Sequence, residues 1–143
     1  MIEALDMIGD RRAVDPLLVC LGNPDSPVRA YAAGALGTLG DSRALEPLLQ
    51  ALRDPSVRKE ATIALGELGD QRAIESLIRV LQTDEDADIR FCAVCALGAL
   101  RDEQALRALQ TTVEHDTGML DGRLRIRDAA IEAIEQIKHQ RAE

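Results

Sequence analysis

Apolar residues recur along the chain three, four and seven positions apart, the spacing that lines one face of a helix. Ala32, Ala35, Leu36 and Leu39 form one such stripe, and Ala44, Leu45, Leu48, Leu49 and Leu52 form the next. Between them stands Gly40-Asp41, a helix stop followed by an N-cap residue. The pattern predicts two helices joined by a tight turn, here named A and B.

This unit is copied along the chain. Ala35-Leu36-Gly37-Thr38-Leu39-Gly40-Asp41 returns as Ala64-Leu65-Gly66-Glu67-Leu68-Gly69-Asp70 and as Ala96-Leu97-Gly98-Ala99-Leu100-Arg101-Asp102. Each A helix opens on an apolar-Arg pair, Val28-Arg29, Val57-Arg58, Ile89-Arg90 and Ile126-Arg127, at spacings of 29, 32 and 37 residues. The B segments repeat as Arg12-Ala13-Val14-Asp15-Pro16-Leu17-Leu18, Arg43-Ala44-Leu45-Glu46-Pro47-Leu48-Leu49 and Arg72-Ala73-Ile74-Glu75-Ser76-Leu77-Ile78, with Gln104-Ala105-Leu106-Arg107-Ala108-Leu109 a weaker fourth copy. No single pair can bury its own stripe, so neighbouring pairs must stack and share a core.

Asp25, Asp54 and Asp86 stand four residues before the opening Arg, where a carboxylate can accept orphan backbone N–H groups, and Pro55 fits a first helical position. The expected division is one domain of stacked repeats over residues 1–143. It comprises an incomplete first repeat (1–24), full repeats at 25–53, 54–85 and 86–116, a loop at 117–122 and a capping helix at 123–143. Leu5 and Ile8 match only the second half of an A helix, so apolar surface is expected at that edge. Such an edge suggests a fragment of a longer array or end-to-end self-association. The loop, with Gly118 and Gly122, carries Met119 and Leu120 at an exposed tip or folded over the last groove. The polar Lys138, His139, Gln140 and Arg141, and Glu135 in place of the recurring glycine, read as a finished end.

Composition changes the picture in three ways. At 46% apolar residues with one Tyr, one Phe and no Trp, the core must be aliphatic, which suits closely spaced helices. A net charge of −8 argues against nucleic acid as a partner. No apolar run reaches the roughly 18 residues of a membrane span, and no secretory pattern opens the chain. Membrane association is therefore not expected, and a cytoplasmic location is. Cys20, Cys92 and Cys95 are an odd number in a chain that does not need stapling, so free thiols are expected.

The run Asp-Pro-x-Val-Arg, Ala-x-x-Ala-Leu-Gly-x-Leu-Gly-Asp, x-Arg-Ala-x-x-Pro-Leu-Leu resembles the short HEAT repeats named after phycobilisome lyases, over nearly the whole chain. The resemblance implies an all-α fold, a right-handed α-solenoid of stacked two-helix repeats, with the A helices lining the concave side. It also implies structural polar contacts for Asp25 and Arg29, Asp54 and Arg58, and Asp86 and Arg90, whereas Arg123 replaces the Asp in the last repeat. Similar repeats occur in bilin lyases, deoxyhypusine hydroxylase, signalling proteins and artificial binders, so fold alone does not decide function.

Columns that change chemistry from repeat to repeat cannot be required for stacking and are the candidates for binding. After the opening Arg they run Ala30, Lys59, Phe91, Asp128; then Tyr31, Glu60, Cys92, Ala129; and, three residues on, Gly34, Ile63, Cys95, Glu132. Both aromatics fall here, and aromatics are favoured interface anchors. The expected partner-binding set is Ala30, Tyr31, Gly34, Lys59, Glu60, Ile63, Phe91, Cys92 and Cys95. The plainer alternative makes Tyr31 a lone surface ring and Phe91 a cover for an irregular step. The acidic B-helix column of Asp15, Glu46 and Glu75, closed by Arg107, reads as a solvated face.

Catalytic chemistry finds little support. Cys92-x-x-Cys95 lacks the second ligand pair of a zinc site and the strand-to-helix setting of a redox motif, and Cys20 reads as a small packing residue. The His-Glu pairs of deoxyhypusine hydroxylase are replaced by His115-Asp116 and His139-Gln140. Gly37, Gly66 and Gly98 recur for close helix approach, not as a phosphate loop. The sequence thus points to a non-catalytic scaffold, without metal or cofactor, that binds a protein or peptide on the A-helix face. A bilin lyase-like pigment holder or a spacer within a larger protein stand as alternatives.

Overall fold

The computed structural model describes residues 11–116, 119–120 and 124–142. The B helices are α1 (Val14–Cys20), α3 (Leu45–Ala51), α5 (Ile74–Thr83) and α7 (Leu106–His115). The A helices are α2 (Ser26–Leu39), α4 (Arg58–Leu68), α6 (Ala87–Leu100) and α8 (Ile126–Ala142). The chain divides into two compact units, Met1–Asp70 and Gln71–Glu143. In each unit, consecutive A helices lie against each other and each B helix packs on the A helix that follows it. Leu5 and Ile8, and with them the expected half-helix at the start, lie outside the described residues.

Each B helix is entered through a short 3-10 turn, Arg11–Ala13, Ser42–Ala44, Gln71–Ala73 or Glu103–Ala105. The expected N-cap residues act on these turns rather than on the α-helix itself. Asp41 Oδ1 accepts from the Arg43 amide and Asp102 Oδ1 from the Gln104 amide, both at 2.9 Å. The closing alanines Ala13, Ala44, Ala73 and Ala105 are fully buried, so the turn tucks a small side chain under the following helix. At the other junction, α2 and α4 end on left-handed Gly40 (φ 70°) and Gly69 (φ 74°), as a helix stop requires. Arg101 adopts the same conformation (φ 53°) without a glycine's freedom.

The entries to the A helices differ in detail from expectation. Pro27 lies in the first turn of α2, but Pro55 sits in a turn closed by Val57 N to Asp54 O (3.1 Å), and α4 begins only at Arg58. Asp54 Oδ1 accepts from the Ser56 amide (3.0 Å) and Asp86 Oδ1 from the Asp88 amide (2.9 Å). Asp25 makes no such side-chain cap; its own amide donates to Asn23 Oδ1 at 2.9 Å. At the last junction, Met119–Leu120 and Leu124–Arg125 pair as an antiparallel two-residue ladder, Met119 opposite Arg125 and Leu120 opposite Leu124. The expected loop at 117–122 therefore contains a strand; its partner lies in the span expected to be all helical cap.

The four opening arginines share one task. Arg29 Nη1 donates to the carbonyls of Asn23 (2.8 Å) and Pro24 (3.0 Å), and Arg90 Nη1 to those of Asp84 and Glu85 (3.0 Å each). Arg58 Nε reaches Leu52 O and Arg127 Nε reaches Val113 O, both at 2.7 Å. Each guanidinium thus meets carbonyls in the last turn of the preceding B helix or in the connection that follows it. Arg29 also contacts Asp54 of the next repeat (Nε to Oδ2, 3.1 Å), and Arg90 clasps Asp116 with two bonds of 2.9 and 3.2 Å. The last A helix follows Arg123 where its predecessors follow an Asp, yet Asp116, just before the two-strand ladder, supplies that carboxylate. This clasp raises the Arg90 pKa above its already high ordinary value.

The cores are aliphatic, built in the first unit on Leu17, Leu36 and Leu65 and in the second on Leu77, Leu97 and Leu109, all fully buried. Buried Thr62 and Thr112 satisfy their hydroxyls on the carbonyls four residues back, Arg58 O (2.7 Å) and Ala108 O (3.0 Å). The recurring glycine allows the A helices to touch. A Cβ at Gly37 would lie 2.6 Å from Ala64 Cα, and one at Gly98 would lie 3.0 Å from Ala133 Cβ.

Two predictions follow from these contacts. Alanine ordinarily gains about 1 kcal/mol over glycine inside a helix. At position 37 the added carbon meets backbone, which cannot move aside, and overpacking costs about 1–3 kcal/mol or more. Gly37→Ala should therefore destabilise the chain in urea unfolding, whereas the ordinary helix scale predicts the opposite sign. For Asp54, the Ser56 amide chiefly, aided by Arg29, holds its carboxyl below the usual carboxylate range. Its contribution is complete above the unfolded pKa near about 4 and is lost as pH falls through the lower folded value. Asp54→Asn should be less stable than the parent at pH 7, and the gap should close as both are titrated toward pH 2.

Candidate functional site

Both compact units carry variable A-helix columns. In the first, Tyr31 and Ile63 are 36% and 40% exposed, notable for large apolar side chains. Lys59 is exposed, and Glu60 and Ala30 are half-buried. An added Cβ at Gly34 would meet nothing within 4 Å, so the glycine leaves open space one turn from Tyr31. Thr38 Oγ1 donates back to Gly34 O (3.2 Å) and lies 3.2 Å from Glu67 Oε2, tying α2 to α4 along this face. The surface mixes one ring, one branched aliphatic side chain and both signs of charge.

In the second unit, half-buried Phe91 and exposed Cys95 of α6 face Ala129, Glu132, Ala133 and Gln136 of α8 across a groove of about 150 Å³. Partial burial, then the charge of Glu132, pushes the Cys95 thiol above its ordinary pKa. It stays protonated at neutral pH and is a poor nucleophile. Cys92 corrects the expected set, because it is only 8% exposed and cannot present itself to a partner. It lies three residues after Ile89 and four before Ala96, both buried, so it joins the edge of the core stripe. Tyr31 and Glu60, in the same column, are long enough to reach outward from it.

The remaining chemistry is quiet. Cys20 is half-buried, and no disulfide is formed among the described residues. Asp15, Glu46, Glu75 and Arg107 are exposed on the B helices, with Asp15 meeting Arg43 at 3.4 Å. Among the described residues no three His, Cys, Asp or Glu side chains converge as metal ligands. No helix among them is long and apolar enough to cross a membrane.

The sequence reading missed a second apolar groove. Val113 of α7 with Ile131 and Ile134 of α8 line an open cleft of about 320 Å³, bordered by Gln110, Glu114, Glu135 and Lys138. Ile131 is 40% exposed, so α8 carries aliphatic surface beside its polar residues. The signal was present in the register: Ile131 and Ile134 occupy columns that are core in every earlier repeat.

Comparison with known proteins agrees with this architecture. The chain is similar to a solved structure, the complex of CpcE and CpcF of phycocyanin lyase from Nostoc sp. PCC7120, at 28% identity and a TM-score of 0.78. The match covers 90% of this chain and 55% of that one, so the chain spans about half the length of its structural relative. No curated protein matches it. The family model described as HEAT repeats matches residues 1–57 and 45–134, nearly the whole length. With its stacked helix pairs and recurring Arg-carbonyl contacts, the chain belongs to the HEAT-repeat family, in the α-solenoid fold class.

Proposed function

We propose that the chain is a non-catalytic scaffold that binds a protein or peptide through its variable A-helix columns. The carrying observation is that Tyr31 and Ile63, large apolar side chains, are exposed in columns that stacking does not require. The binding set is Ala30, Tyr31, Gly34, Lys59, Glu60 and Ile63 in the first unit and Phe91 and Cys95 in the second. Aromatic and aliphatic anchors supply affinity, and Lys59 and Glu60 select for complementary charge. That the similar solved structure is a complex of two proteins supports pairing with another protein.

A second reading, a lyase-like role that holds a linear tetrapyrrole, is favoured by the 28% identity to the phycocyanin lyase complex. In that reading Phe91 and its groove are the natural contact for a conjugated ring system.

One set of variants tests both. The immobilised parent chain and a Tyr31→Ala, Phe91→Ala double variant, matched for helicity by circular dichroism, are exposed to an extract of the source cells. The expected result is a protein retained by the parent and reduced at least tenfold on the variant, since interface anchors each contribute about 2 kcal/mol or more. Equal retention on both, or none on either, would overturn the scaffold reading. A bilin titration in which the parent shifts the pigment's absorbance and the variant does not would favour the second reading instead.

A further inference from the structure

The groove between α6 and α8 has walls of unlike chemistry over a small floor. Ala129 and Ala133, one turn apart on α8, are buried beneath it. Half-buried Phe91 and exposed Cys95 stand on the α6 side, exposed Glu132 and Gln136 on the α8 side. The space is about 150 Å³, below the roughly 300–1,000 Å³ of a small-molecule pocket, and takes one side chain rather than a helix. Glu132's column is open within the array as well. Ile63 of α4 and Cys95 of α6 hold the same place, each is followed by a further A helix, and both are exposed.

The first unit shows what sets this groove apart. Nine residues after the opening arginines, Thr38 of α2 lies 3.2 Å from Glu67 of α4 and holds that carboxylate across the helix pair. The same two places in the second unit are Ala99 and Gln136, and alanine has no hydroxyl to offer. The Gln136 side-chain oxygen lies instead over Gly98, where a Cβ would otherwise stand. Phe91 replaces Ala30, and Glu132 replaces Ile63. Among the described residues, neither Glu132 nor Gln136 has a hydrogen-bond or ion-pair partner. A ring, a carboxylate and an amide oxygen thus border one small space.

Charge and shape name the occupant. Glu132 is close enough to Cys95 for its charge to bear on the thiol, which stays neutral and offsets none of it. Exposed Asp128 lies one turn before Glu132 on α8. In the adjoining groove Glu132 and Glu135 meet the single guanidinium of Arg101, beside His139, so two carboxylates stand against one cation. We infer that the α6–α8 groove receives one arginine side chain of the partner, its guanidinium stacked on Phe91 and donating to the Glu132 carboxylate and the Gln136 side-chain oxygen. A planar, permanently charged fork meets ring and carboxylate together, as a lysine ammonium does not. The inference rests on the scaffold reading and gives the partner's chemistry at the second unit.

The probe is N-acetyl-arginine methylamide, titrated into the isotope-labelled whole chain and followed by amide NMR shifts. Saturable shifts are expected around Phe91, Cys95, Glu132 and Gln136. The citrulline analogue keeps the shape without the charge and should not saturate over the same range; the lysine analogue should bind several-fold more weakly. Glu132→Gln should weaken binding about tenfold, the loss of one charge-assisted contact, and Phe91→Leu several-fold, with helicity unchanged in circular dichroism. Glu46→Gln, which removes a carboxylate from the exposed side of α3, should leave binding as it was. Shifts that do not saturate, that spread over the acidic surface at large, or that persist with the citrulline analogue or the Glu132→Gln chain would overturn the inference. So would equal binding of the lysine analogue, because the groove would then read only a point charge. Capture of a protein that depends on Tyr31 and Phe91, without arginine binding, would sink this inference and leave the scaffold reading standing.

Discussion

The distance between consecutive A helices governs the rest of this structure. Where Gly37 meets Ala64, and Gly98 meets Ala133, the helices approach until backbone touches backbone or methyl group. At that separation the columns four and seven residues after the opening arginine are sealed, and short aliphatic side chains suffice to fill the space. A large ring would hold the helices apart. The two aromatics of the chain sit outside the sealed columns, Tyr31 exposed and Phe91 half-buried beside a groove. The poverty of aromatics is thus a consequence of helix spacing.

Electrostatics fixes register within that frame more than it adds stability. Arg29 and Asp54 retain 19% and 34% of their side-chain exposure, and an ion pair so solvated is screened by water and adds little. Arg90 and Asp116, at 18% and 12%, form a tighter bidentate clasp. Either guanidinium reaches carbonyls behind it and a carboxylate ahead of it, so slippage of one repeat against the next would break several bonds together. Burial of the aliphatic columns supplies the driving force, and the arginines choose which alignment receives it.

The fold was legible in the sequence because it is written several times. The Ala-Leu-Gly-x-Leu columns and the Val-Arg openings specify helix, turn and stacking face at each copy, and the structure follows them closely. What escaped is local and unrepeated. Pro55 lies in a turn because Val57 closes a bond to Asp54 before α4 starts, a choice that spacing cannot reveal. Asp116 takes the role expected of the residue at Arg123's position because the intervening segment pairs as strands, which displaces the junction without moving the carboxylate. Arg101 ends α6 in the conformation its counterparts reach with glycine.

The candidate sites were less legible, for a reason that Cys92 and Ile131 illustrate from opposite sides. Cys92 stands in a variable column yet is buried, since a small side chain there sinks into the edge of the Ile89–Ala96 stripe. Ile131 stands in a column whose earlier members, Ala33, Thr62 and Val94, are fully buried, yet it is 40% exposed, since burial of that position is conferred by what packs over it rather than by its own helix. Variability among repeats reports freedom from the stacking requirement; exposure depends in addition on side-chain length and on the neighbour. Exposure on these helices therefore depends on reach as well as on column: Tyr31 extends out of a column that stacking leaves alone, whereas the smaller Cys92 in the same column does not.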